Sequence, residues 1–541
     1  MLRGPFKLVA ALLALGLIGA AVAVAFAPDD VGVVLPAPIE RDLAAIVERD
    51  TLVALTVTNA TSYFVYRGEA FGYEYELLKD FAEEAEVVIQ MKVVPRDSLL
   101  YFLNAGLGDI AAARIVPAEQ DTAHFAYTRA LYETRPSVVQ LAGAPEDTLP
   151  ASVDTVLGDP PDEFADRPGR QLGEGGTGSF AEDLRAEAEA QTGAAPPADA
   201  AAPTRIRARL IERPAELAGE TVFLPESHAY VDRLVEIEDQ ITGDIAVVEV
   251  DTSTEALVRE VARGGIDLTV APENVAELQA EYYGNLAVRP DIGPEHGVVW
   301  AVRENAPDLR EALDRWIVAN RDSRRWASLY RKYYVDRDGF RERAESRYLT
   351  SVTGELSPYD DVFRANAAKI GWDWRLLASQ AFQESRFKPR ARSWAGAMGL
   401  LQIMPLTARD LGIADPYDIE ANVDGAVRYL TWLGEHYWDE AIPDSTERVK
   451  FVLASYNAGA GHVLDAQRLT EKYGGDKTRW EDVAYWMLRK SEAKWYNDPV
   501  VRHGYARGLE PVHYVAIILD RYEHYQQFVR DEPEGGPAPE A

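Results

Sequence analysis

Glu384 is the residue whose setting in this sequence points most directly to acid–base chemistry. Trp374, Leu377, Ala378, Ala381 and Phe382 fall at i, i+3, i+4, i+7 and i+8, the apolar face of one helix. Glu384 follows Ala381 by one turn and lies on that face. A carboxyl group there is desolvated, which favours its protonated form. A general acid that works on a glycosidic bond near neutral pH needs that property. The plain alternative is a buried glutamate tied into an ion pair with Arg386 or Arg390, and such pairs also perturb pKa values. Spacing alone leaves both open. Glycosidases ordinarily use two carboxylates. No second one stands out nearby, although Asp418 and Asp424 remain candidates.

Three further motifs surround Glu384. Gln383-Glu384-Ser385-Arg386-Phe387 is followed by Gly396-Ala-Met-Gly-Leu-Leu-Gln-Ile-Met-Pro405, then by Ala454-Ser-Tyr-Asn-Ala-Gly459, then by Gly504-Tyr-Ala-Arg-Gly-Leu-Glu-Pro-Val-His-Tyr-Val515. In this order and spacing they resemble the lysozyme-like catalytic domain of the lytic transglycosylases. The resemblance implies that Glu384 is the catalytic acid and that Ser385 supports it or orients substrate. It implies that Gln402 and Met404 line the substrate groove, with Leu401 where methionine is common. Tyr456 and Asn457 match the Tyr-Asn-Ala-Gly motif, at a helix end expected to close on Gly459 and Gly461. Tyr514 matches a tyrosine near the catalytic glutamate. Each has a plainer role: a helix-end serine, a capping asparagine, a phenol that fills core.

The elements that must carry these residues change along the chain. From Glu355 to about Arg530 helical periodicity dominates. Upstream, from Leu43 to Tyr334, strand-like and amphipathic segments alternate, the pattern of an α/β domain. Thr51–Val57, Val87–Val94, Asp109–Ala113, Thr221–Leu224, Ile245–Val250 and Ile266–Ala271 read as strands. Tyr73–Glu84, Ser98–Ala105 and Thr254–Arg263 read as helices. Residues 145–204 are rich in Pro, Ala, Gly, Asp and Glu and read as a flexible insert, with a helical piece near Ala181–Ala190.

The α/β region also resembles a known family. Asp42-Leu-Ala-Ala-Ile-Val-Glu-Arg-Asp-Thr-Leu, Thr61-Ser-Tyr-Phe-Val-Tyr-Arg-Gly-Glu, Gly72-Tyr-Glu-Tyr-Glu-Leu-Leu, Gly108-Asp-Ile-Ala-Ala-Ala and Phe125-Ala-Tyr-Thr128 with Tyr132 are similar to the extracellular solute-binding domains. That resemblance implies two α/β lobes around a small ligand. Amino-acid binders of that family hold the ligand carboxylate with an arginine. Here glutamine stands at 120 and Arg114 lies a few residues before it, so a changed ligand and a purely structural lobe pair are both open.

Composition bounds the rest. The chain has 541 residues, so two or three domains are expected. Hydrophobic residues make up 47%, enough for packed cores, and the net charge is −32. That balance argues against nucleic acid as a partner, and the acidity reads as solubility. There is no cysteine, which excludes disulfides, thiolate metal sites, a cysteine nucleophile and a lipidated-cysteine anchor. The eight histidines are scattered with no HExxH pair, so neither a metal nor an organic cofactor is expected. Arg3 and Lys7 precede an uncharged run, Leu8–Ala27, which reads as an export segment. Ala25-Phe-Ala27 resembles a cleavage site, but Pro28 follows it. The run is also long enough to anchor the chain in a bilayer.

The expected fold is multidomain: an N-terminal two-lobed α/β solute-binding-like domain and a C-terminal all-α lysozyme-like domain. The expected divisions are 1–28 (signal or membrane anchor), 40–340 (the α/β domain), 350–530 (the catalytic domain) and 531–541 (a disordered tail). The expected setting is the periplasm, associated with a membrane through the N-terminus, either anchored in the inner membrane or peripheral on the outer membrane. The expected activity is cleavage of the β-1,4 bond between N-acetylmuramic acid and N-acetylglucosamine in peptidoglycan, leaving 1,6-anhydro ends. The α/β domain would regulate it through a small ligand or muropeptide. A muramidase that hydrolyses the same bond and a non-catalytic glycan or ligand sensor are the alternatives.

Overall fold

The computed structural model describes residues 35–117, 124–142, 210–225, 230–250, 252–346 and 348–529. The expected export segment Leu8–Ala27, the expected insert 145–204, Gln120 and the expected tail 531–541 lie outside them. The chain divides into two units: Met1–Phe64 with Phe71–Ser346, and Val65–Ala70 with Arg347–Ala541.

The first unit is α/β with two sheets. Its strands are β1 (Thr51–Thr56), β2 (Phe64–Tyr66), β3 (Glu69–Phe71), β4 (Val88–Val93), β5 (Ile110–Ile115), β6 (Phe125–Tyr127), β7 (Tyr132–Thr134), β8 (Pro136–Leu141), β9 (Thr221–Pro225), β10 (Ala246–Val250), β11 (Leu268–Pro272), β12 (Leu286–Asp291) and β13 (His296–Arg303), of which β2 and β3 form a separate hairpin. One sheet runs β4-β1-β5-β13-β6, with β7 also on β13. The other runs β10-β9-β11-β8-β12. The chain passes between sheets after β7 and again before β13, which is the two-lobed plan. β1 pairs in parallel with β4 and β5, and β5 is buried along its whole length. Parallel strands covered on both faces read as apolar runs, which is why Ile110-Ala-Ala-Ala was legible.

Buried Asp109 ties the first lobe together. It accepts the Val53 amide at 2.9 Å and pairs with Arg41 and Arg49, both at 2.6 Å, and with Arg303 at 3.5 Å. The helix Thr254–Arg263 of the second lobe starts at Ser253, which accepts the Ala256 amide, and stops at left-handed Gly264.

The second unit is helical. Its main helices are Asp360–Ala367, Trp374–Ser385, Ile419–Leu433, Ser445–Ala458, Ala460–Lys472, Trp480–Arg489 and Leu509–Phe528. They enclose one core that includes Leu377, Ala381, Leu401, Val423, Phe451, Val463, Met487, Val515 and Ile518. The helix Ser445–Ala458 closes on Gly459 alone, whose amide reaches the Ser455 carbonyl at 2.8 Å. Gly461 instead lies in the next helix, where a Cβ would meet the His503 ring at 2.7 Å. The expectation that both glycines cap is therefore corrected: close packing requires the second.

Candidate active site

The helix Trp374–Ser385 delivers Glu384 to the end of a buried rod. Its first turn is fixed by Asp373, which accepts the Arg375 amide at 2.9 Å and the Tyr522 hydroxyl at 3.0 Å. Leu377, Ala378, Ser379, Gln380 and Ala381 are fully buried. The helix stops abruptly because Arg386 (φ 51°) and Phe387 (φ 57°) both take left-handed conformations. Residues with side chains rarely do so, and such backbone is held only where the surroundings enforce it. Part of that enforcement is the loop tip Val65–Ala70, which belongs to this unit. Gly68 (φ 78°) seats so closely that a Cβ would lie 2.7 Å from Phe387 and 3.0 Å from Phe382, and its carbonyl accepts the Tyr525 hydroxyl at 2.8 Å.

The Glu384 carboxyl meets a phenol. Tyr514 donates its hydroxyl to Oε1 at 2.6 Å, and Gln380 Nε2 donates to the same Tyr514 oxygen at 3.2 Å. Burial pushes the Glu384 pKa up to about 7, while the Tyr514 hydrogen bond pulls it back. Burial, and after it the Glu384 charge, raises the Tyr514 and Tyr456 phenols well above their usual range. Both stay protonated donors. The ion-pair alternative does not hold: Arg386 faces Glu69 at 3.5 Å, and Arg390 is exposed. The second-carboxylate candidates are otherwise engaged. Asp418 caps the helix Ile419–Leu433 through the Ala421 amide, and Asp424 pairs with Lys369 at 2.8 Å and Arg428 at 2.9 Å.

The Gly-Leu-Leu-Gln segment folds into a tight loop against this site. Met398 and Ile403 exchange both backbone hydrogen bonds. Gln402 (φ 48°) turns its amide back onto the Gly399 carbonyl at 2.8 Å. Tyr456 donates to the Leu401 carbonyl at 2.6 Å. The structure therefore brings Glu384, Tyr514, Tyr456 and the Gln402 loop together. Asn457 follows Tyr456 and is half-buried. Met404 is exposed and precedes the helix Pro405–Asp410. Ser385 is buried, and its hydroxyl faces its own helix, donating to the Ala381 carbonyl at 3.1 Å.

Two residues were missed in the sequence. Gln380, one turn before Glu384, has the i, i+4 spacing that could have found it. Asn422 accepts the Leu401 amide at 2.9 Å and donates to the Met398 and Pro416 carbonyls at 3.0 and 2.8 Å. Its only signal was a polar residue at a buried helical position.

In the first unit, Arg114 (φ 51°) is buried at the end of β5 and pairs across the lobes with Glu255 at 2.8 Å. Its amide donates to Glu74 at 3.0 Å.

Fold and site define a two-part protein: a two-lobed unit with a solute-binding-protein-like fold joined to a helical unit with a half-buried, tyrosine-bonded glutamate. The chain belongs to the bacterial extracellular solute-binding proteins, family 3, whose model matches residues 53–336, and the Transglycosylase SLT domain matches residues 361–478. It is similar over nearly its whole length to proteins named membrane-bound lytic murein transglycosylase F. The relative from Desulfosudis oleivorans is 28% identical over 487 residues, 90% of this chain and 92% of that protein. The relative from Stutzerimonas stutzeri is 28% identical over 502 residues, 91% of this chain and 88% of that protein.

Proposed function

We propose that this protein is a peptidoglycan lytic transglycosylase with Glu384 as its catalytic acid. The observation that carries the reading is the Glu384 carboxyl: half-buried at the end of a buried helix, held by Tyr514 at 2.6 Å, with its pKa pushed up to about 7 by desolvation. Such a group is about half protonated at neutrality, so it can donate a proton and its conjugate base can take one back. The SLT match and the relatives' names support the same chemistry.

Glu384 gives its proton to the glycosidic oxygen between N-acetylmuramic acid and N-acetylglucosamine as the bond to the muramyl C1 breaks. The substrate's N-acetyl oxygen stabilises the positive charge that develops at C1. The ionised carboxylate, with Tyr514 still donating, then takes the proton of the muramyl C6 hydroxyl. That oxygen bonds to C1 and closes the 1,6-anhydro ring. The proton returns to Glu384 and no water is consumed, so one residue acts first as acid and then as base. Gln402, Met404, Tyr456 and Asn457 line the groove in this reading, and Ser385 holds the helix end. No step calls for a metal or an organic cofactor.

The setting that fits is the cell envelope, in association with a membrane, as the relatives' names indicate, and more finely the periplasm. Among the described residues no helix is long and apolar enough to cross a membrane, and Leu8–Ala27 lies outside them. The two-lobed unit is assigned a small ligand or muropeptide that adjusts the rate. Candidate ligands that neither bind nor change the rate of the full chain would remove that role.

The test of the activity is digestion of purified peptidoglycan, with products weighed by mass spectrometry beside E384Q. Anhydro-muropeptides from the wild type and none from E384Q are expected. Products heavier by one water would move the assignment to a muramidase. Equal products from both proteins would remove Glu384 from the chemistry.

A further inference from the structure

The helix Ile419–Leu433 does not end in an ordinary cap. It runs into a single π turn, Gly434–Trp438, closed by the Asp439 amide on the Gly434 carbonyl at 2.9 Å. A π turn inserts one residue into the helical repeat and occurs often at functional sites. Here it sorts the aromatics. Trp438 turns inward, is fully buried, and donates its indole N–H to Ser455 at 3.0 Å. Trp432 is left outside with 44% of its surface exposed.

Trp432 does not stand alone. His436 stacks on it at 5.2 Å and 20°, and Tyr437 meets it edge-on at 5.5 Å. Tyr429 also stacks on Trp432 at 5.9 Å and 12°, and Tyr429 lies 5.5 Å from Tyr456. Tyr456 is the phenol that senses the Glu384 charge and holds the Leu401 carbonyl. The result is a continuous aromatic strip that begins beside the candidate acid and runs outward into solvent.

Core packing does not account for the strip, because its outer members, Trp432 and His436, are exposed. Rigid, flat side chains present large contact area at little entropic cost. The C–H faces of pyranose rings offer a matching apolar surface, while their hydroxyl edges stay in water. The inner end of the strip, Tyr456, adjoins Glu384, the residue proposed to act on the scissile bond.

We propose that Tyr429, Trp432 and His436 form a platform for the glycan strand, seating sugar rings beyond the two that flank the bond addressed by Glu384. The proposal rests on the glycan-cleaving reading above. Its role is to hold long strands, so its signature is a dependence of affinity on strand length.

The experiment separates the two readings by measuring binding without turnover. Full-length E384Q is titrated with peptide-free murein strands, an octasaccharide and a tetrasaccharide, by calorimetry. The octasaccharide is expected to bind more tightly. W432A in the same background should lower the ratio of the two affinities about fivefold, as expected for one lost aromatic stack. W432F should restore most of it, which an effect on folding would not. A ratio unchanged by W432A, or no preference for the longer strand, overturns the platform. Failure of the wild type to digest peptidoglycan would instead count against the activity, whatever the titrations give.

Discussion

At the scale of single residues, Glu384 links activity and stability through one property, its reluctance to ionise. Burial raises its pKa to about 7, so the acid form that the reaction needs is lost as pH climbs through that value. The pH profile of kcat/KM should therefore fall on its alkaline side near pH 7. The Tyr514 hydrogen bond favours the ionised form and holds the pKa down. In Y514F the alkaline limb should move to higher pH, and a limb that stays or moves down would contradict this account.

The same shift affects folding, with a sign that can be worked out. Between the unfolded value near 4.5 and the folded value near 7, the folded protein holds a proton that the unfolded chain has released. Stability then falls as pH rises through this window. Above it the fold carries a buried charge at a cost of up to about 3 kcal/mol. E384Q removes that cost. Thermal melts should find E384Q more stable than the wild type at pH 8, with the gap closing below pH 5. A gap that widened in acid would refute it.

At the scale of elements, Asn422 carries the clearest consequence. Two of its hydrogen bonds, with the Leu401 amide and the Met398 carbonyl, fasten the helix Ile419–Leu433 to the loop that ends in Leu401 and Gln402, and the third holds the Pro416 carbonyl just before the helix. N422A leaves the Leu401 amide and two carbonyls buried without that partner, at a cost of about 2–3 kcal/mol. Chemical denaturation should show that loss, and KM for peptidoglycan should rise with it. A variant as stable as the wild type would mean that water replaces the side chain.

What the sequence disclosed at this scale followed physical period. The helices Tyr73–Glu84 and Thr254–Arg263 lie where their apolar spacing put them, because that spacing is the face each helix buries. The strand at Ile110 runs two residues past its expected end, because Arg114 and Ile115 stay in the sheet while Arg114 takes a left-handed φ. The placement of Glu384 on the buried face was legible, since one carboxylate on an apolar stripe is a local signal. The hydroxyl that holds it was legible only as a motif, because Tyr514 is 130 residues away in the chain. The three-residue strands β2 and β3 and the π turn after Leu433 escaped notice. Segments that short have no period to read, and a one-residue insertion in a helix repeat leaves no trace in composition.

At the scale of the whole molecule, the division into units does not follow the chain. The helical unit takes Val65–Ala70 from a point almost 300 residues before the rest of it begins. Within that unit the tip is integral. The Arg67 amide donates to the Tyr348 carbonyl at 2.7 Å, Tyr66 bridges to Leu349, and Glu69 meets Arg386 at 3.5 Å. Gly68 fills the space between Phe382, Phe387 and Tyr525, the residues that hold the strained end of the Glu384 helix. A protein that began at residue 347 would keep every catalytic candidate yet lack this tip. It would expose part of Phe382 and Phe387 and leave the buried Tyr525 hydroxyl without its acceptor. Losing that acceptor and that contact should cost about 2 kcal/mol. For a unit of this size the melting temperature would fall by about 4–8 °C. Calorimetry of residues 347–529 beside the full chain measures this directly, with the helical unit's transition expected at the lower temperature in the fragment. Activity should fall further than stability alone accounts for, because the tip braces Arg386 and Phe387, the two left-handed residues that fix where Glu384 points. A fragment that melts with the full chain and cleaves peptidoglycan at the same rate would show that the Trp374–Ser385 helix holds its own end.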